Sequence, residues 1–133
     1  MSQFSIRYNP EEDIIRVEML GEFDAQMLSA STAALVEEIQ RSACTRVLMD
    51  HRQATPKLSV VEQYRRPEIG ANLGVPRSCR IAIVYRKSHD SYRFIETVGK
   101  NWGFMVKTFQ VAEKALELLR KPAHLATPPD SRE

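Results

Sequence analysis

Asp50, His51 and Arg52 follow directly on the apolar run Val47-Leu48-Met49, and His89-Asp90 comes four residues after the similar run Ile81-Ala82-Ile83-Val84-Tyr85. A carboxylate, an imidazole and a guanidinium at the carboxyl end of a strand are residue types that contact ligands in a parallel sheet. Neighbouring residues of an extended chain point to opposite sides, so these three cannot converge as a triad. The expected arrangement is Asp50 paired with Arg52 or accepting backbone N–H bonds. Tyr85, Arg86, Lys87 and Ser88 lead up to His89, and rims bearing His51 and His89 would form either a polar cleft or two solvated loops. Ser59 precedes Glu62 by three, the spacing of a capping box at a helix start. Tyr64, Arg65 and Arg66 offer an aromatic ring and two cations, as interface hot spots do, unless Tyr64 packs inward and both arginines face water. No ligand spacing joins His51, His89 and His124, and the chain has no phosphate-cradling glycine loop, no H-E-x-x-H, no C-x-x-C and no nucleophile elbow. Neither a metal nor a cofactor is expected, and catalytic activity has little to stand on.

These residues need elements to place them. Phe4, Ile6 and Tyr8 alternate with polar residues as a half-buried strand does, and Ile14 to Leu20 is a second strand after a polar turn, with Gly21 ending the hairpin. Asp24 caps a helix running through Gln40, with Met27, Leu28, Leu35, Val36 and Ile39 at helical spacing. A short strand from Arg46 to Asp50 hands over to a loop bearing Asp50, His51 and Arg52. Pro56 stops any early helix, and Ser59 opens one that carries Val60, Val61 and Tyr64, meets Pro67 and ends near Gly74. Ile81 to Tyr85 is the fourth strand. Ser88 or Asp90 caps a helix with Tyr92, Ile95, Val98 and Trp102 in its inward stripe. Phe104, Val106 and Thr108 alternate in a fifth strand, and Val111 to Leu119 is a last helix with Ala112, Ala115, Leu116 and Leu119 inward.

The element order is therefore β-β-α-β-α-β-α-β-α. Strands separated by single helices run parallel with right-handed crossovers, which predicts an α/β protein with a mixed five-stranded sheet, strands two to five parallel and the helices mainly on one face. Residues 1–120 form one domain in this reading. The Pro-rich polar stretch 121–133 reads as a disordered tail.

With 133 residues, 43% hydrophobic and 27% charged, the chain is of a size and composition to bury one core without metal or disulfide. Cys44 and Cys79 have no redox or metal spacing and are expected to be reduced packing residues in a cytoplasmic protein. Neither a signal peptide nor a membrane span is expected, because apolar runs are only a handful of residues long. The net charge of +2 conceals a gradient: residues 1–50 carry −5 and residues 51–133 carry +7. The basic residues are interleaved with Glu and Asp and form no block, so nucleic acid is not the expected partner.

From Phe4 to Leu119 the chain resembles the STAS domain superfamily, and within it the SpoIIAA-like branch of anti-sigma-factor antagonists. Val47-Leu48-Met49-Asp50 resembles that family's apolar strand ending in Asp, Arg80-Ile81-Ala82-Ile83-Val84 its next strand, and Phe109-Gln110-Val111-Ala112-Glu113-Lys114-Ala115-Leu116 its closing strand-to-helix segment. In antagonists of this family a partner kinase phosphorylates a serine at the start of the helix after the third strand, usually within Asp-Ser-Ser-Gly. The resemblance assigns that position to Ser59, whose neighbours Leu58, Val60 and Val61 replace the flanking Asp and Gly. It implies a non-catalytic module that binds a protein, such as a regulatory kinase or a transcription regulator, through the helix Ser59 to Asn72 and the rim Asp50 to Lys57. The alternative on the same fold is a small-ligand carrier or sensor, for a lipid or a nucleotide, using a cavity between helices and sheet or a cleft lined by His51, Tyr85 and His89. A hydrolase or transferase using Asp50 or His89 is the weakest reading. The edge strand Phe4 to Tyr8 leaves homodimerisation open.

Overall fold

The computed structural model describes residues 3–87 and 90–121. Strand β1 (Gln3–Asn9) turns back through 10–13 into β2 (Ile14–Phe23), helix α1 (Ala25–Ser42) crosses to β3 (Arg46–Pro56), α2 (Val60–Leu73) to β4 (Arg80–Tyr85) and α3 (Asp90–Asn101) to β5 (Met105–Phe109), after which α4 (Ala112–Arg120) closes the chain. The five strands form one sheet in chain order, β1 antiparallel to β2 and every later pair parallel. That is the mixed sheet the element order predicts. The hairpin is held by Asn9, whose side-chain oxygen accepts the N–H groups of Glu11 and Glu12, while Asp13 takes the left-handed conformation that short polar side chains tolerate.

Each crossover moves one strand onward, so α1, α2 and α3 lie on one face of the sheet. There Ile15, Val17, Val47, Ile81 and Ile83 pack against Leu35, Val36, Ile39, Tyr92 and Ile95. Helix α4 takes the other face, where Ala115, Leu116 and Leu119 cover Ile14, Leu48, Ala82 and Val84. The unbroken apolar runs of β3 and β4 have this cause: consecutive residues face opposite cores. Arg80, largely buried at the start of β4, donates to the carbonyls of Leu118 and Lys121 and so satisfies the carboxyl end of α4. Cys44 and Cys79 are both buried free thiols.

Two strands run further than expected. Gly21 does not end β2, and the residues assigned to a loop, Asp50 to Arg52, lie within β3, which continues to Pro56. Leu20 to Phe23 pair with Gln53 to Pro56, and the register slips between Glu18 and Leu20, leaving His51 and Arg52 both opposite Met19. This bulge shifts the alternation of β3. Val47 and Met49 belong to the three-helix side before it, and Ala54 packs with Met19, Phe23, Leu28 and Leu58 after it. A pattern read with strict period two breaks at such a point. Gly21, at φ 81°, supplies the backbone freedom the distortion needs.

Candidate functional site

His51 continues the alternation of Val47 and Met49 onto the three-helix side, where it is only 2% exposed. Its Nδ1 lies 3.1 Å from the hydroxyl of Tyr92 on α3, and Phe23 meets its ring edge-on with centroids 5.3 Å apart. Tyr92 is itself buried and stacks on Tyr85 at the end of β4, 4.7 Å and 11° between rings. Arg66, on the inward side of α2, is 8% exposed and lies close enough to oppose protonation of His51 and to favour ionisation of Tyr92. Burial dominates the electrostatics. It drives the His51 pKa down to about 3, with the Arg66 charge adding to the effect, so the imidazole is neutral at ordinary pH. It raises the Tyr92 hydroxyl to about 12 and lowers Arg66 to about 10, which leaves that guanidinium charged.

Asp50 and Arg52 flank His51 but face away from it. Asp50 Oδ1 accepts the Arg52 backbone N–H at 3.1 Å and Nε at 2.9 Å, and Oδ2 accepts Nη2 at 2.8 Å. The two-pronged bond holds the Asp50 carboxyl below the usual carboxylate range. The pairing expected from sequence is present, and both groups are engaged with each other, on the face opposite the imidazole. Of the cleft expected from His51, Tyr85 and His89, His51 is inside the molecule, Tyr85 is its direct partner across the β3–β4 pair, and His89, like Ser88, lies outside the described residues. Arg86 is exposed just beyond β4, with its carbonyl accepting from Gln110 Nε2 at 3.3 Å.

Helix α2 divides the residues that the sequence groups together. Its buried residues are Gln63, Arg66 and Pro67, while Val60 and Val61 are 64% and 65% exposed and Tyr64 stands out with them. Tyr64 neither packs inward nor stands alone: it stacks on Phe94 of α3, centroids 5.4 Å apart. Of the two arginines, Arg65 faces water beside Glu68 and Arg66 is inside. Gln63 donates to the Leu58 carbonyl at 3.2 Å, and its buried oxygen has no hydrogen-bond partner among the described residues. Ser59 heads the helix with the capping box in full: its Oγ accepts the Glu62 N–H at 3.1 Å, and Glu62 accepts the Ser59 N–H at 2.9 Å. The site residues that sequence reasoning missed are Phe94, Val60 and Val61 as surface groups and Tyr92 as the partner of His51. The signal for α2 was present in Gln63, Arg66, Pro67 and Gly70, which share the i, i+3, i+4, i+7 face. Trp102, placed in the inward stripe of α3, instead falls one residue past the helix and is partly exposed.

Among the described residues no three His, Cys, Asp or Glu side chains converge as metal ligands, and no helix is long and apolar enough to cross a membrane. No protein-family model matches the sequence, and no curated protein does. Solved structures do match. A protein of the DUF3478 family with a SpoIIAA-like fold from Shewanella loihica superposes with a TM-score of 0.58 over 89% of this chain and 93% of its own, at 16% identity. An anti-sigma factor antagonist from Mycobacterium paratuberculosis gives 0.60 over 91% and 96%, at 17% identity. SpoIIAA in its unphosphorylated form gives 0.51 over 90% and 100%, at 13% identity. The chain has the SpoIIAA-like fold. The resemblance carried by the strands Val47–Asp50 and Arg80–Val84 thus extends to the whole architecture. Within the SpoIIAA-like frame, Ser59 occupies the start of the helix that follows the third strand, and Val60, Val61 and Tyr64 form the first turns of its outer surface.

Proposed function

We propose that this SpoIIAA-like chain is a non-catalytic cytoplasmic regulatory module that binds another protein on the outer face of α2. One observation carries the reading: the helix buries Gln63, Arg66 and Pro67 and turns Val60, Val61 and Tyr64 to the surface. Burial of apolar side chains is the main driving force of folding, so a helix with this inverted pattern leaves binding surface unused within the chain. Tyr64, held by Phe94, is an aromatic anchor of the kind that concentrates binding energy, and exposed Arg65 borders it. Arg66, expected on this surface, belongs to the interior. The likeness to two anti-sigma factor antagonists supports a regulatory kinase or transcription regulator as the partner class.

Ser59 is the point at which a phosphate would alter this surface. It is exposed at the positive end of the helix, where a phosphate is electrostatically favoured, but its N–H already holds the Glu62 carboxylate, which the phosphate would repel. The test is affinity capture with the wild-type chain, Val61→Asp, Tyr64→Ala and Arg65→Glu in parallel, with phosphate on Ser59 read by mass spectrometry. The expected result is a specific protein retained by wild type and lost from the first two variants. Identical recovery by wild type and Val61→Asp would exclude the outer face of α2 as the docking surface.

A further inference from the structure

Strand β5 forms one edge of the sheet, and its outer backbone is covered at one end only. The Thr108 N–H goes to Glu96 of α3, so Thr108 turns its backbone away from β4. Backbone groups of successive strand residues point to alternate sides, so Val106, two residues earlier, also turns its N–H and carbonyl outward. Neither group has a partner among the described residues. Beside them a groove of about 670 Å³ runs between β5 and the outer side of α3, and Thr97, Asn101 and the cations Arg77, Lys100 and Lys107 line it. Glu96 is the one carboxylate among its described lining residues, and Oε2 of that group is already bonded to Thr108. Arg77 is held in place by Nε, which donates to the Trp102 carbonyl at 2.8 Å, and by its stacking on Phe104, 4.4 Å from the ring centre. Its two Nη groups have no partner among the described residues, and Lys107 has no ion pair there.

We infer that this groove takes a short, extended, acidic segment of another protein, which adds to β5 as a further strand. Val106 supplies the backbone pairing: its N–H donates to a carbonyl of the segment and its carbonyl accepts an N–H in return, the way sheet edges bind peptides. Charge selects the segment. Side chains of an added strand fall alternately on the two faces of the sheet; Val106 packs on Gly99 toward α3, the helix that carries Lys100, and Lys107 points to the opposite face, so acidic side chains of either parity meet a cation. Length follows from two features. At roughly 30 Å³ per water-sized group the groove of about 670 Å³ holds roughly 20 heavy atoms, about three residues. Glu96, by taking the Thr108 N–H, ends the pairing at that point and excludes a long flat edge such as that of another sheet. The groove shares no residue with Val60, Val61 and Tyr64, so it is a second surface that stands or falls independently of the outer face of α2.

The test is a titration of the full-length, ¹⁵N-labelled chain at pH 7 and constant ionic strength with acetyl-Glu-Val-Glu-Val-Glu-amide, long enough to seat either parity. Its controls are the Lys-Val-Lys-Val-Lys counterpart and two N-methylated forms of the acidic peptide, one blocked at the valines and one at the glutamates. The acidic peptide is expected to give saturable amide shifts centred on Thr97, Val106 and Lys107 and to slow hydrogen exchange of the Val106 N–H. The lysine peptide and one of the two N-methylated forms should bind at least roughly tenfold more weakly. Lys107→Glu, a change on the partly exposed face of β5, should weaken binding by a similar factor, whereas Tyr64→Ala should leave it unchanged. On the wild-type chain alone, any of four results would overturn the assignment: no saturable shift up to roughly 1 mM peptide, equal binding of the lysine peptide, equal binding of both N-methylated forms, or shifts centred on Val60, Val61 and Tyr64. Shifts of the Val106 and Lys107 amides that track protein concentration without peptide would make the occupant a second copy of this chain and overturn it too.

Discussion

His51 shows how one residue's environment decides its chemistry. In the sequence His51 reads as a ligand-contacting group, but it is enclosed, bonded to Tyr92 and packed on Phe23, and burial opposes its charge. The folded pKa of about 3 lies below the ordinary value of 6.5, so below pH 6.5 the unfolded chain takes up a proton that the folded chain refuses. Stability is therefore fully retained above pH 6.5 and falls as the pH drops toward 3, by up to about 1.4 kcal/mol per unit. Asp50, whose pKa is lowered by Arg52, adds its own loss only near and below the ordinary carboxylate range, so the window from pH 6 to 4.5 belongs mainly to His51. His51→Gln keeps a hydrogen-bonding side chain without the titration, and urea unfolding across that window should show a flatter pH dependence than wild type. Parallel curves for the two proteins would mean that the imidazole titrates normally. Ser59 provides a simpler case. Ser59→Ala removes the acceptor for the Glu62 N–H and should cost about 1 kcal/mol in the same assay, whereas Ser59→Asp, also a good cap, should cost less than half of that. Equal losses for Ala and Asp would show that the cap contributes nothing at this helix.

At the scale of elements, legibility depended on whether one rule governed a segment. The helix from Asp24 to Ser42 and the last helix around Ala115, Leu116 and Leu119 were readable because periodicity and burial agree in them. The far half of β3 was not, because the bulge at His51 and Arg52 breaks its alternation and Gly21 resembles a stop in its partner strand. Helix α2 was only partly legible, because its inward face is Gln63, Arg66 and Pro67, which are not apolar in type, while its two valines face solvent. The edge of β5 could not be read at all, since what covers it comes from a different element. Glu96 of α3 accepts the Thr108 backbone N–H and hydroxyl through the same Oε2, each at 2.7 Å. A sheet edge with bare N–H groups invites pairing with another chain, and a carboxylate laid across it blocks that approach. Glu96→Ala should therefore lower stability by about 1 to 3 kcal/mol and increase concentration-dependent self-association in sedimentation velocity. A variant with wild-type stability and an unchanged sedimentation profile would show that the edge needs no such cover.

At the scale of the molecule, the sheet divides two cores that share the same strands. Val47 faces the three-helix side and Leu48 the α4 side, and Ile81 with Ile83 and Ala82 with Val84 divide in the same way. The unbroken apolar runs made this two-sided burial legible from sequence. Which helix crosses to the second face was not legible, because the chain beyond β5 has no later strand to fix its hand. A backbone that carries both cores cannot release one and keep the other ordered, since loss of α4 packing would expose Leu48, Ala82 and Val84 on strands that the first core requires to be straight and paired. Unfolding is accordingly expected to be all-or-none. Leu35→Ala on the α1 side and Leu119→Ala on the α4 side, both fully enclosed in wild type, should each cost about 3 kcal/mol through lost burial and the void left behind. In both variants the urea transition followed by Trp102 fluorescence, at the corner between α3 and β5, should coincide with that followed by far-UV circular dichroism and shift with it. A Leu119→Ala chain whose Trp102 transition stayed at the wild-type midpoint while its helical signal melted earlier would mean that α4 is an independent cover, and that the sheet's first face folds without its second.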